Sequence, residues 1–275
     1  MFPLGPRSLL AAALLVVGLA HSTAMAQTPT APADQARPCV EKSGLTHLTH
    51  PLAHMAQRIA NGKPITIVAL GSSSTAGAGA SGPAASYPSR LEAELKARFP
   101  EQSVTVINQG VNGEEAGEML ARFDESVARA RPDLVLWQVG TNAVLRDNPL
   151  GPVDRLVHDG IARMKALGTD VVLIDPQFAP KVIDKADAED MVNLISAESK
   201  QANVDRFPRF AVMREWRERD GIPFEAFLSP DLLHMNDWSY GCIAKLLAGS
   251  ISEAATRPFA SARATGTHPA AQRGH

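Results

Sequence analysis

Apolar runs of two kinds alternate along the chain. One kind is short, unbroken and rich in β-branched residues: 65–70 (ITIVAL), 104–108 (VTVIN), 133–140 (DLVLWQVG) and 170–175 (DVVLID). The other kind is periodic. Tyr87, Leu91 and Leu95 recur at four-residue spacing and predict a helix over 88–99, opened by Pro88 and stopped by Pro100. Ala116, Leu120, Phe123 and Val127 form one face of a predicted helix over 114–130. Further helices are expected through Leu156, Ile161 and Met164, over 187–202, and through Ile243, Leu246 and Leu247, with a weaker strand-like run at 209–213 (RFAVM). Strands that are apolar throughout, alternating with helices, belong to a parallel sheet covered on both faces. The expected fold is therefore three-layer α/β/α with a central parallel sheet, in a single domain over 39–257.

The ends read differently. Arg7 precedes an apolar run over 9–20 and a small-residue site at Ala24-Met25-Ala26, the layout of a secretory signal peptide over 1–26 cut after Ala26. The apolar stretch is shorter than the roughly 20 residues that span a bilayer, so no stable membrane insertion is expected. Residues 27–38 are a Pro-, Ala- and Thr-rich lead-in, expected to be flexible, and 258–275 lack any apolar period and are expected to be a disordered tail. A net charge of −2, with no basic face or like-charge run, gives no case for nucleic acid. Export into an oxidising compartment, with only Cys39 and Cys242 available, predicts one disulfide between them.

In such a sheet, ligands sit beyond the carboxyl ends of the strands, which directs attention to 72–75, 108–115 and 141–142. Gly77-Ala78-Gly79-Ala80-Ser81-Gly82 formally matches a dinucleotide fingerprint. It lies six residues past the strand, however, and the second strand ends in Asn108-Gln109 with no acidic residue to hold a ribose. No Lys-Ser or Lys-Thr pair completes a phosphate loop either, so no organic cofactor is expected. His47, His50 and His54 could suggest a metal, but Pro51 interrupts the helix that would align them and no fourth ligand is near in sequence. Trp137 and Gln138 are expected to be packed, with Gln138 bonding locally, and Arg209, Arg214 and Trp216 to line a cleft after the last strand.

Four short blocks then fall in order. ALGSSSTAG (69–77), NQGVNGE (108–114), VGTNAV (139–144) and DLLHMND (231–237) resemble the first, second, third and fifth blocks of the GDSL, or SGNH, hydrolases, over about 65–240. The resemblance implies the flavodoxin-like SGNH fold and a serine esterase without metal or cofactor. By register Ser73 takes the nucleophile place and Ser72 the usual aspartate place. Asp231 and His234 are implied as the remaining catalytic pair, and the N–H groups of Ser73 and Gly113 with the Asn142 amide as the oxyanion hole. Taken singly, Ser73 reads as a helix cap, Gly113 as a turn residue, Asn142 as a loop-closing side chain and His234 as a surface histidine.

The chemistry suits these residue types. A serine hydroxyl attacks only when a neighbouring base takes its proton, and a carboxylate three residues before the histidine can fix the imidazole tautomer. The expected substrate is a small-molecule ester or an acylated glycan. Two alternatives remain open at this point: a polysaccharide O-acetyltransferase, with a sugar hydroxyl as acceptor, and a non-catalytic carbohydrate-binding module, motivated by Ser72.

Overall fold

The structure, a computed structural model, describes Cys39 and residues 44–257; the expected leader at 1–26, the lead-in at 27–38 and the tail at 258–275 lie outside the described residues. In chain order the regular elements are α1 (Ala53–Ala60), β1 (Ile65–Gly71), α2 (Ser73–Ala76), α3 (Tyr87–Arg98), β2 (Val104–Gly110), α4 (Ala116–Ala121) and α5 (Phe123–Ser126). They continue with β3 (Leu134–Gln138), α6 (Thr141–Leu145), α7 (Leu150–Ala166), β4 (Asp170–Ile174), α8 (Pro180–Ile183), α9 (Ala188–Gln201), β5 (Asp205–Phe207), α10 (Arg209–Arg214) and α11 (Asp237–Thr256). The five strands form one sheet in the order β2-β1-β3-β4-β5, every pair parallel. That is the strand order of flavodoxin-like folds, in keeping with the fold that the resemblance implies.

Strands β1 and β3 are buried along nearly their whole length, which is why they read as unbroken apolar runs. Helix α3 packs with α11, and α7 packs with α4 and α9. Trp137 is wholly buried, as expected, and donates its indole N–H to Met119 Sδ at 3.3 Å. Cys39 and Cys242 form the expected disulfide, which ties Cys39 to α11 across 203 positions of sequence. No described helix is long and apolar enough to cross a membrane.

Two sequence expectations fail locally. The helix predicted over 114–130 is broken into α4, α5 and a 3-10 turn, although its apolar face is buried as expected. At the break, Arg122 turns its guanidinium back to the Glu114 carboxylate and the Gln109 carbonyl, while the Ser126 hydroxyl bonds the Arg122 carbonyl at 2.8 Å. The same carbonyl also accepts the Ser126 N–H at 2.9 Å, and a serine hydroxyl sharing the i−4 carbonyl in this way bends a helix. The run 209–213 is helix, not strand: Pro208 ends β5, and Asp175 accepts the Phe210 N–H at 2.8 Å in the first turn of α10.

At the amino-terminal edge of the sheet stands a row of carboxylates. Asp205 accepts the N–H groups of Thr49 and His50, Asp170 those of His54 and Met55, and Asp133 that of Thr66, at 2.8–3.2 Å. Asp170 thereby caps the first turn of α1, whose N–H groups lack intrahelical acceptors. The three early histidines also find carboxylates: His54 Nε2 lies 3.1 Å from Asp133, His50 Nδ1 3.4 Å from Asp205 and His47 Nδ1 3.2 Å from Glu253. Each faces a different acid, so the three do not converge.

Candidate active site

The sheet order reverses between β1 and β3, and ligand crevices form outside the carboxyl ends of strands at such a switch point. Three chain segments meet there, after β1, β2 and β3. Directly after β1, Ser73 opens the short helix α2. The loop after β2 is drawn in by the Val111 N–H, which bonds the Gly71 carbonyl at 3.0 Å. Gly110 is needed for this approach: a Cβ there would lie 2.1 Å from the Ala76 amide nitrogen, a backbone atom that cannot step aside.

The DLLH segment, between β5 and α11, comes to the same place from the far end of the chain. Asp231 organises it locally, one carboxylate oxygen accepting from the Ser229 hydroxyl (2.7 Å) and from the N–H groups of Leu233 (3.0 Å) and His234 (2.9 Å). Its other oxygen lies 2.5 Å from His234 Nδ1. Across 161 positions of sequence, His234 Nε2 lies 2.8 Å from Ser73 Oγ. Burial alone pushes the Asp231 pKa up, but these hydrogen bonds, led by that of the His234 ring, hold it well below the usual carboxylate range. A hydroxyl, an imidazole and a carboxylate whose ionised form is favoured therefore lie in line, with the hydroxyl on the ring nitrogen opposite the acid.

The expected oxyanion groups sit on the adjoining loops. Gly113 adopts φ +81°, a left-handed conformation that favours glycine, and its carbonyl accepts from Arg146 Nη2 at 2.8 Å. Asn142, in the first turn of α6, donates Nδ2–H to the Glu114 carbonyl at 2.8 Å, which joins the loops after β2 and β3. One hydrogen of that amide is so used, and an amide carries two.

The arginine and tryptophan residues expected in the cleft are elsewhere. Arg209 is wholly buried, and Trp216 is buried edge-on against Phe227 and Trp238. Arg214 lies over the Phe178 and Phe210 rings and pairs with Glu189. Gln138 is buried and makes the expected local bond, from Nε2 to Thr141 Oγ1 at 3.5 Å, but its Oε1 also accepts the N–H and hydroxyl of Ser72, both at 2.9 Å, across 66 positions. This contact fills the place that the Ser72 departure left open, and a glutamine at the end of an apolar strand is the sequence signal for it.

A parallel α/β/α sheet with a hydroxyl–imidazole–carboxylate line at its switch point defines the architecture of a serine-hydrolase-like protein. The chain belongs to the non-GDSL lipase-like family, whose profile matches residues 38–257. That description agrees with Gly71-Ser72-Ser73-Ser74 standing where Gly-Asp-Ser-Leu is the pattern. An arylesterase of Vibrio mimicus is 34% identical over 79 residues, 29% of this chain and 40% of that protein. A two-domain esterase active on acetylated mannans superposes with a TM-score of 0.66 at 18% identity, covering 85% of this chain and 62% of that one. An acetylxylan esterase of Geobacillus stearothermophilus superposes with a TM-score of 0.59 at 18% identity, covering 68% of this chain and 94% of that one. The chain thus spans less than two thirds of the first two of these proteins, and the structural likenesses establish the fold.

Proposed function

We propose that this protein is an exported serine esterase of the SGNH type that removes acyl groups, O-acetyl groups on carbohydrate among them, through an acyl-Ser73 intermediate. The observation that carries the reading is the line Ser73 Oγ, His234 Nε2, His234 Nδ1, Asp231 Oδ2, with separations of 2.8 and 2.5 Å at its two hydrogen bonds. Ser73 Oγ attacks the ester carbonyl while its proton passes to His234 Nε2. Asp231, held as a carboxylate, accepts the Nδ1–H and stabilises the imidazolium that results. The N–H groups of Ser73 and Gly113 and the free hydrogen of the Asn142 amide receive the oxyanion. The imidazolium then protonates the leaving alcohol, and a water activated by His234 releases the acid from Ser73. No step needs a metal or an organic cofactor. Ser72, which motivated a non-catalytic reading, is fixed by Gln138 and leaves the line intact.

Carbohydrate acetate as substrate rests on the esterases of acetylated mannan and xylan that share the fold. Export rests on the leader-like 1–26 and on the Cys39–Cys242 disulfide, which suits an oxidising compartment. The catalytic domain would be 39–257. A fluorophosphonate probe followed by peptide mapping tests the nucleophile: label on Ser73 is expected, and label on Ser72 or Ser74 instead would refute the assignment. Acetate release from acetylated xylo- and manno-oligosaccharides, compared with p-nitrophenyl acetate, tests the substrate class. Transfer of acetate to added sugar in preference to water would make the protein an acetyltransferase.

A further inference from the structure

The stretch Ser72-Ser73-Ser74 is held from both sides. Ser72 and Ser74 are 2% and 1% exposed, whereas the half-buried Ser73 reaches His234. On one side Ser72 is fixed by Gln138. On the other, Arg209 Nη1 donates to Ser74 Oγ at 2.9 Å. The two anchors are joined behind the loop. Gln138 Nε2 donates to Thr141 Oγ1 at 3.5 Å, Thr141 Oγ1 donates to Gln177 Oε1 at 3.0 Å, and Arg209 Nη2 donates to the same Gln177 oxygen at 3.0 Å. The circuit closes through the backbone of the three serines. Gln177 Nε2 also donates to the Leu233 carbonyl at 3.3 Å, one residue before His234, and Thr141 directly precedes Asn142. One buried ring of side chains therefore touches a neighbour of the proposed nucleophile, of the proposed base and of the proposed oxyanion amide.

For stability alone this is an expensive arrangement. Arg209 is wholly buried, yet its hydrogen bonds end on the Asp175 carbonyl, a hydroxyl and an amide, all uncharged acceptors. The Asp175 carboxylate, which offers compensating charge, is itself taken by Arg206 and the Phe210 N–H. A buried ion without its own hydrogen-bonded counterion is destabilising, a cost that an apolar residue of similar volume would avoid. What the guanidinium supplies, and an apolar residue cannot, is a planar fork whose donors fix three acceptors at set angles.

We propose that Arg209, acting with Gln177, is a positioning residue for ester hydrolysis. It holds Ser74, and through it the Ser73 hydroxyl, in line with His234 Nε2, while Gln177 couples that register to the loops of His234 and Asn142. The inference rests on Ser73 being the nucleophile. It differs from a packing role because a misaligned nucleophile lowers the rate of each correctly folded molecule, and a shift of about 1 Å can cost on the order of 10²-fold.

The test measures kcat and KM for p-nitrophenyl acetate per active site, sites being counted by stoichiometric fluorophosphonate labelling. Arg209→Met is expected to lower kcat per labelled site by on the order of 10²-fold with KM little changed. Arg209→Lys, which keeps the charge but not the fork, should recover only part of this loss. Ser74→Ala removes a single acceptor at a small site and keeps the assay decisive if Arg209→Met does not fold; a loss in kcat of about tenfold per labelled site is expected. If activity and labelled sites fall together, so that kcat per site is unchanged in Ser74→Ala and in the folded Arg209 variants, Arg209 is structural and the proposal is overturned. If the wild-type protein does not label at Ser73, the esterase reading fails first and takes this inference with it.

Discussion

Two carboxylate–imidazole pairs stand at opposite ends of the same sheet. At the carboxyl-terminal edge, Asp231 meets His234 at 2.5 Å. At the amino-terminal edge, Asp133 meets His54 at 3.1 Å. The chemical groups are alike, but their third partners differ. Asp133 is almost wholly buried, spends its other oxygen on the Thr66 N–H and shares the one facing His54 with Arg58 at 2.8 Å. Among the described residues no serine or threonine hydroxyl bonds the His54 ring, whereas His234 presents its second nitrogen to Ser73. One pair is a clamp on the start of a strand and the other is a line to a hydroxyl. What makes a histidine–carboxylate pair suited to catalysis is the group on the far side of the ring, together with the switch point that brings it there.

The largest expected effect separates the two ends outright. Ser73→Ala should lower kcat for ester hydrolysis by on the order of 10⁴ or more, since the covalent route is lost and only binding and oxyanion stabilisation remain. His54→Ala should leave kcat for the same ester unchanged. Saturation kinetics on both variants check this, and a comparable loss in His54→Ala would break the comparison.

The acids come next. Asp231→Asn should cost about 10⁴ in kcat, because the Ser229 hydroxyl and the Leu233 and His234 N–H groups claim the amide oxygen and leave its NH2 facing Nδ1, which favours the wrong tautomer. Asp133→Asn should leave the rate alone and cost roughly 1–3 kcal/mol of stability, as it weakens a buried carboxylate that serves three donors. Urea unfolding beside kinetics reads both quantities; an Asp133→Asn variant that is stable but slow would contradict the division of labour. At the same edge as Ser73, Asn142→Ala should lower kcat by on the order of 10²–10³ with KM little changed, the usual loss for one oxyanion donor. An increase in KM at constant kcat would instead assign the amide to ground-state binding.

The two ends were unequally legible in the sequence. Each candidate site residue lies within four positions of a strand end or within a four-residue motif, and it is the resemblance of the four blocks to the SGNH hydrolases that gave Ser73, Gly113, Asn142, Asp231 and His234 their expected places. The sheet could be read too, because buried parallel strands leave unbroken apolar runs. The carboxylate row could not: Asp133, Asp170 and Asp205 look like ordinary strand-edge acids until the segment before α1, the first turn of α1 and the start of β1 meet them across 67 to 156 positions of sequence. Arg209 was misplaced for a related reason. An arginine is normally solvated, and only the joint arrival of Ser74, Gln177 and the Asp175 carbonyl makes its burial possible. The break in the 114–130 helix was hidden because its apolar face keeps helical spacing on both sides of Arg122.

The smallest expected effect concerns the sign of pH dependence at the two edges. Asp231 has its pKa depressed, so the stability it contributes is present above the unfolded value of about 3.9 and is lost as pH falls toward the folded one. Asp170 is shifted the other way. Burial raises its pKa more than the Met55 and His54 N–H groups lower it, so protonation is favoured in the folded state and stability is lost as pH rises from about 3.9 through the raised value. Asparagine imitates the neutral acid in both cases. The stability gap between wild type and Asp231→Asn should therefore widen as pH rises toward 4 and then stay level, while the gap for Asp170→Asn should narrow just above about pH 4. Solvent screening keeps the Asp231 change small, since its side chain is 41% exposed. Urea titrations between about pH 3 and 7 compare the two slopes, in the range where model carboxylates titrate. Gaps that move in the same direction would mean that the carboxylates at both edges answer to one electrostatic environment, and the contrast between the clamp and the line to Ser73 would then rest on the Ser73 hydroxyl alone.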